Sequence, residues 1–135
     1  MLFDERDAQT AAPRPLSRAP EQRVWTDPAS GYLRRTLSPA APSSIQLVEV
    51  TFPPGQRVIY DAAVRRSGMD QQIWMIDGVM EISVDDRRWR LEAGDCLAMQ
   101  ADQSFVYFNP ASSAARYLVA LSIPSSKPIR RNEAG

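Results

Sequence analysis

A chain with no histidine among its 135 residues has few groups that can move a proton near neutral pH. Imidazole-dependent triads, histidine general bases and most zinc, copper and non-haem iron sites are excluded with it. The single cysteine, Cys96, can make neither an internal disulfide nor a four-thiolate metal site. It follows a turn and opens an apolar run, so it reads as an inert buried thiol. The densest group of charged side chains is Arg87, Arg88 and Arg90, directly preceded by Asp85 and Asp86. Opposite charges at that spacing describe a solvated turn and strand edge. Across the whole chain 16 Lys+Arg balance 16 Asp+Glu, without the basic excess that holds nucleic acid. No run approaches the roughly 18 apolar residues of a membrane span. Met1 is followed by Asp4, Glu5 and Asp7 rather than by a basic and then apolar signal. The expectation is a soluble cytoplasmic chain that touches neither membrane nor nucleic acid directly.

The elements that would position any site are short strands. Eight of the eleven prolines fall in the first 54 residues, and none lies between Gly55 and Asn109. Residues 1–21 are polar and show no sustained period, which reads as a linker or mobile arm; residues 124–135 read as a tail. Residues 22–123 form one domain. Within it Val24-Trp25, Tyr32 to Leu37, Ile45 to Phe52, Arg57 to Val64 and Gln71 to Ile76 read as strands, followed by Met80 to Val84 and the segment around Trp89 and Leu91. Cys96 to Met99, Phe105 to Asn109 and Arg116 to Ile123 complete the series. Asp77-Gly78, Asp85-Asp86 and Gly94-Asp95 are the turn signals between them, Asp77-Gly78 being a tight-turn dipeptide of the hairpin kind. No helical period is present. Short strands at this spacing make an all-β sandwich or small barrel.

In strand order and glycine spacing, residues 45–123 resemble the cupin superfamily, double-stranded β-helix (jelly-roll) barrels. In the first cupin motif a glycine, five residues, His-x-His, a glutamate and a closing glycine follow one another; Gly55 and Gly78 stand at its two ends. In the second, Gly94 opens, Gln100-Ala101-Asp102 occupies the Pro-x-Gly step and Asn109 falls on the final asparagine. The four positions that hold metal in the family carry Asp61, Ala63, Gln71 and Phe105 here. One carboxylate and one amide do not make the three or four good donors a divalent transition metal needs, so no metal and no cofactor are expected. A narrower resemblance runs through Trp25-Thr26-Asp27-Pro28, Gly31-Tyr32, Leu37-Ser38-Pro39, Leu47-Val48-Glu49-Val50, Gly94 to Met99 and Ala115 to Val119. These segments are similar to the C-terminal cupin sensor domain of bacterial helix-turn-helix (XRE-type) transcriptional regulators. In such regulators a DNA-binding domain precedes a cupin that binds a small effector. Residues 1–21 are too few and too linker-like to fold that domain, and resemble the linker after it.

Carried over onto the strands, the motif positions set which side chains face the barrel interior, since alternate residues point inward. Arg57, Ile59, Asp61 and Ala63 form one inward row, Gln71, Ile73 and Met75 a second, and Phe105, Tyr107 and Asn109 a third. Apolar walls with Asp61, Gln71, Tyr107 and Arg57 as isolated polar groups have the make-up of a small-molecule pocket. The same residues also suit a barrel that fills itself, with Arg57 and Asp61 as a structural pair and Phe105, Ile73 and Met75 as plain core. Trp25, Trp74 and Trp89 read as packing or dimer contacts. Three functions follow from this: a metal-free sensor module for a small-molecule effector, a metal-independent isomerase or lyase working through Asp61 and Tyr107, or a structural dimerising barrel. The first is the leading expectation. The resemblance also implies a homodimer, with the strands near Trp25 at its seam.

Overall fold

The computed structural model describes residues 14–60, 70–100 and 103–122. The strands are β1 (Val24–Thr26), β2 (Leu33–Thr36), β3 (Ile45–Phe52), β4 (Arg57–Tyr60) and β5 (Asp70–Asp77), then β6 (Met80–Val84), β7 (Arg87–Leu91), β8 (Cys96–Gln100), β9 (Phe105–Phe108) and β10 (Ala115–Ser122). The other regular element described is a single 3-10 turn, Ala19–Glu21. The strands pair antiparallel into a six-stranded sheet ordered β1-β2-β3-β10-β5-β8 and a four-stranded sheet ordered β4-β9-β6-β7. This is the all-β architecture that the strand spacing predicts, in the jelly-roll form that the cupin resemblance implies.

Alternation makes the two sheets a sandwich. Along β3 the buried residues are Val48, Val50 and Phe52, and along β10 they are Ala115, Tyr117, Val119 and Leu121. Gln71, Ile73 and Met75 of β5 and Met99 of β8 complete that inner face. Opposite them stand Met80, Ile82 and Val84 of β6, Leu91 of β7 and Phe105 and Tyr107 of β9. Register places these groups together: Tyr117 lies opposite both Val50 and Met75, and Ile82 opposite Tyr107. Burial of this continuous apolar layer is the main force holding the sheets face to face.

The turns behave in two different ways. Asp85-Asp86 closes the β6–β7 hairpin, with Asp85 at φ 54° and its carboxylate accepting from the Ser104 amide at 3.2 Å. Asp77-Gly78 is not a hairpin turn: β5 belongs to the six-stranded sheet, while β6 pairs with β7 and β9 in the other. It is a corner where the chain changes sheets, beside a β-bulge between Arg116 and Tyr117. Gly78 has φ 87°, and a Cβ there would come within 2.8 Å of the Ala115 Cα and 2.9 Å of the Ala114 carbonyl oxygen. Only glycine fits this corner.

Candidate functional site: the tyrosine-lined barrel interior

All four tyrosines of the chain turn into the space between the sheets. Each arrives by a different route. Tyr32 follows a turn in which the Asp27 carboxylate accepts from the Ser30 amide at 2.8 Å and the Ser30 hydroxyl at 2.6 Å. These bonds hold the Asp27 carboxyl below its ordinary range. Gly31 then takes φ 83° and Tyr32 stacks on Phe52, with ring centroids 5.8 Å apart and planes 6° from parallel. Tyr60 ends β4, whose register sets it opposite the buried Phe105. Tyr107 and Tyr117 occupy inward positions of β9 and β10.

The rings and hydroxyls meet. The Tyr32 and Tyr60 hydroxyl oxygens are 3.0 Å apart, a hydrogen bond. Tyr60 sits edge-on to Tyr107 at 5.2 Å, and Tyr107 is 6.2 Å from Tyr117. The Gln71 side-chain amide donates to the Tyr107 hydroxyl at 3.3 Å. Burial, together with the neighbouring phenols, pushes the Tyr117 hydroxyl well above the ordinary phenol range; burial and the Tyr32 hydrogen bond do the same for Tyr60. Both remain neutral hydrogen-bonding groups at any physiological pH. The described residues bury no charged side chain; Gln71 and Asn109 are the buried polar residues outside the tyrosines.

Of the residues the sequence pointed to, Gln71, Ile73, Met75, Phe105 and Tyr107 are brought together in this interior. Asp61 and Ala63 lie outside the described residues. Arg57 and Ile59 are corrections: both face outward, Ile59 with 69% exposure, and the Arg57 guanidinium stacks over the Phe108 ring at 4.5 Å. Directly opposed residues of an antiparallel pair share a face. Since Val58 opposes Tyr107 and Tyr60 opposes Phe105, the inward row of β4 is Val58 and Tyr60. Counting back by twos from positions 61 and 63 therefore gives the wrong face.

Asn109 is fully buried and committed to the fold. Its amide nitrogen donates to the Phe52 carbonyl at 3.1 Å and the Ser113 carbonyl at 2.9 Å, and its side-chain oxygen accepts from the Ala111 amide at 2.9 Å. Both side-chain donors are spent within the protein, so Asn109 stitches the end of β3 to the β9–β10 loop. Cys96 is also corrected: it is exposed, on the outer face of the six-stranded sheet opposite Trp74. The residues that sequence reasoning missed are Tyr32, Tyr60 and Tyr117. Tyr117 alternates with Val119 and Leu121, so the signal for it was present; for Tyr60 it was the register.

The family metal positions fail on donor chemistry. Gln71 offers one neutral amide, already engaged with Tyr107, while Phe105 and Ala63 offer no donor atom at all. A transition metal held by this set would rest on Asp61 and an amide oxygen, which does not fit it.

No family model and no curated protein matches the chain. Solved structures do. The cupin domain of an XRE-family transcriptional regulator from Enterobacter cloacae superposes with TM-score 0.64 at 16% identity, over 70% of this chain and 98% of that one. KdgF from Halomonas sp. gives TM-score 0.64 at 16% identity, covering 82% and 94%. An RmlC-like cupin from Shewanella frigidimarina gives 0.64 at 15% identity, covering 84% and 94%. Two antiparallel sheets in this strand order, closed over a shared interior and superposing on three cupin domains, are the cupin fold, and this chain has it.

Proposed function

We propose that the chain is a small-molecule-binding cupin module of the transcription-regulator type, working without a bound transition metal. The observation that carries this reading is the convergence of four phenols and the Gln71 amide inside the barrel. A domain that only needs to pack fills such a space with aliphatic and phenyl groups. Hydroxyls there are costly unless they meet polar partners. Gln71, Ile73, Met75, Phe105 and Tyr107, with Tyr32, Tyr60 and Tyr117, line the site. The effector binds one barrel state better than another, and that difference biases a partner DNA-binding domain. Two features support the regulator setting: the regulator-like segments from Trp25 to Val119, and the likeness in fold to a regulator's cupin domain. In this reading the module is cytoplasmic and works as a homodimer through the half-exposed Val24, Trp25 and Leu33.

An isomerase or lyase that worked through these groups would need a base near neutral pH. Phenols held as firmly protonated as Tyr60 and Tyr117 donate hydrogen bonds but neither release nor remove protons near neutral pH. Of the pair that the enzyme reading would use, Asp61 lies outside the described residues, and the binding reading, which asks only for hydrogen bonds from these groups, is preferred. A thermal melt against a metabolite library, with chelator in every control, tests it. A ligand at 100 times its dissociation constant stabilises by about 2.7 kcal/mol, a shift of several degrees in a domain of this size. The expected result is a chelator-insensitive shift with the ligand recovered unchanged. A melting point lowered by chelator alone would overturn the metal-free reading, and consumption of the ligand would overturn the sensor.

A further inference from the structure

β7 and β8 are each the last strand of their sheet, and a cleft of about 190 Å³ lies between them and the β6–β7 turn. Register explains its lining. Trp89 opposes the buried Ile82 and Arg87 the buried Val84, so both stand on the inner side of their sheet, as Leu97 does opposite Ile73. At the sheet edge that inner side reaches solvent, and Trp89 is 37% exposed. One wall is held in place by the turn itself. The Asp85 amide donates to the Ser104 carbonyl at 3.0 Å, and the Asp85 carboxylate accepts from the Gln103 side-chain amide at 3.3 Å and the Ser104 amide at 3.2 Å. The Gln103 side-chain oxygen accepts in turn from the Gln100 amide at 3.1 Å, which ties the wall to β8.

Val84, Leu97, Ala98 and the Trp89 ring give the cleft an apolar floor, while Asp86 and Arg87 bring it one charge of each sign. These two are consecutive residues, with Cα atoms about 3.8 Å apart. The Arg87 guanidinium lies over the Trp89 ring, 4.7 Å from its centroid. Stacking occupies the flat face of a guanidinium and leaves the N–H fork in its plane for a carboxylate. Asp86 beside it suits an ammonium. An anion alone meets the repulsion of Asp86, and a cation alone that of Arg87. The volume is below the roughly 300–1,000 Å³ of pockets for drug-sized ligands, which limits the occupant to a smaller molecule. We infer that this cleft is a second binding site, outside the barrel, for a free α-amino acid with an apolar side chain. Its carboxylate takes the Arg87 fork, its ammonium faces Asp86, and its side chain rests on Trp89 and Leu97. The site is independent of the tyrosine-lined interior and of the function proposed for it.

L-leucine is the probe, titrated into the full chain and followed by NMR at the Trp89 indole N–H, a signal identified by its loss in Trp89→Phe. Leucinamide lacks the carboxylate, N-acetyl-leucine lacks the ammonium, and glycine lacks the side chain. Asp86 and Arg87 are exposed, so Asp86→Asn and Arg87→Gln remove one charge each and leave the fold intact. The expected result is a saturable shift of the Trp89 signal by leucine. Each variant and each of the three analogues weakens binding by about threefold or more, the scale of one solvent-exposed ion pair or a small apolar contact. Leucinamide or N-acetyl-leucine bound as tightly as leucine would refute selection of a zwitterion, and glycine bound as tightly would refute the apolar floor. If either variant binds leucine as tightly as the unaltered chain, the amino acid is held elsewhere and the inference falls. It falls also if leucine, valine and phenylalanine all leave the Trp89 signal in place.

Discussion

Replacing Asn109 tests whether this buried residue serves the fold or a ligand. Asn109→Ala deletes three hydrogen bonds of 3.1, 2.9 and 2.9 Å, to the Phe52 and Ser113 carbonyls and from the Ala111 amide. Each is worth about 1 kcal/mol net, and a buried partner left unmet adds to the cost. Because Phe52 and Asn109 are themselves fully buried, water does not readily replace the lost groups. The expected destabilisation is about 3–5 kcal/mol, or about 10–20 °C in melting temperature for a domain of this length. The transition is best followed by far-UV circular dichroism, since Trp25, Trp74 and Trp89 are all substantially exposed in the folded chain and report weakly on unfolding. Asn109→Asp keeps the acceptor for Ala111 but points a carboxylate at two carbonyl oxygens. That carboxyl has its folded pKa raised above the unfolded value of about 3.9. The variant is therefore most stable relative to wild type below pH 4 and loses stability as pH rises. An Asn109→Ala chain within about 1 kcal/mol of wild type would refute the stitching role.

Other expectations follow from the same geometry. Gly78→Ala drives a Cβ into the Ala114–Ala115 backbone, whereas Gly94→Ala, at φ 94° with no atom within 4 Å, bears only the conformational cost of about 1–2 kcal/mol; equal melting temperatures for the two variants would contradict the packed corner. Tyr60 and Tyr117 keep their protons above the pH, about 10, at which an unfolded phenol ionises. Their contribution is complete below pH 10. Above it the unfolded chain releases protons that the folded chain retains, so stability falls by about 1.4 kcal/mol per pH unit per group. A urea midpoint independent of pH between 9 and 11.5 would refute their burial. Cys96 is expected to react with a disulfide reagent in native buffer, one thiol per chain; protection that lasts until denaturant is added would mean that a second copy covers the outer face around Trp74.

The strands and the fold class were legible in the sequence because alternation and turn residues are local properties. Ile45–Phe52 and Met80–Val84 appear at the bounds that their periodicity indicates, and Gln71, Ile73, Met75, Phe105 and Tyr107 face inward as the two-residue period requires. Periodicity gives alternation but does not by itself give phase, and phase is what puts Arg57 and Ile59 on the outer face. Pairing of Val58 with Tyr107 and Tyr60 with Phe105 sets that phase, and pairing is a long-range relation. The corner at Asp77-Gly78 was decided in the same way, since a glycine turn reads alike whether the next strand returns beside the last or crosses to the other sheet. The exposure of Cys96 depends on β8 being the edge of its sheet with an uncovered outer face, which its own neighbours in sequence do not encode. Donor chemistry at the metal positions is a matter of residue type, so the sequence alone disfavours a transition metal there. The meeting of Tyr32, Tyr60, Tyr107 and Tyr117 is tertiary: four residues spread over 86 positions become neighbours only when two sheets close on each other.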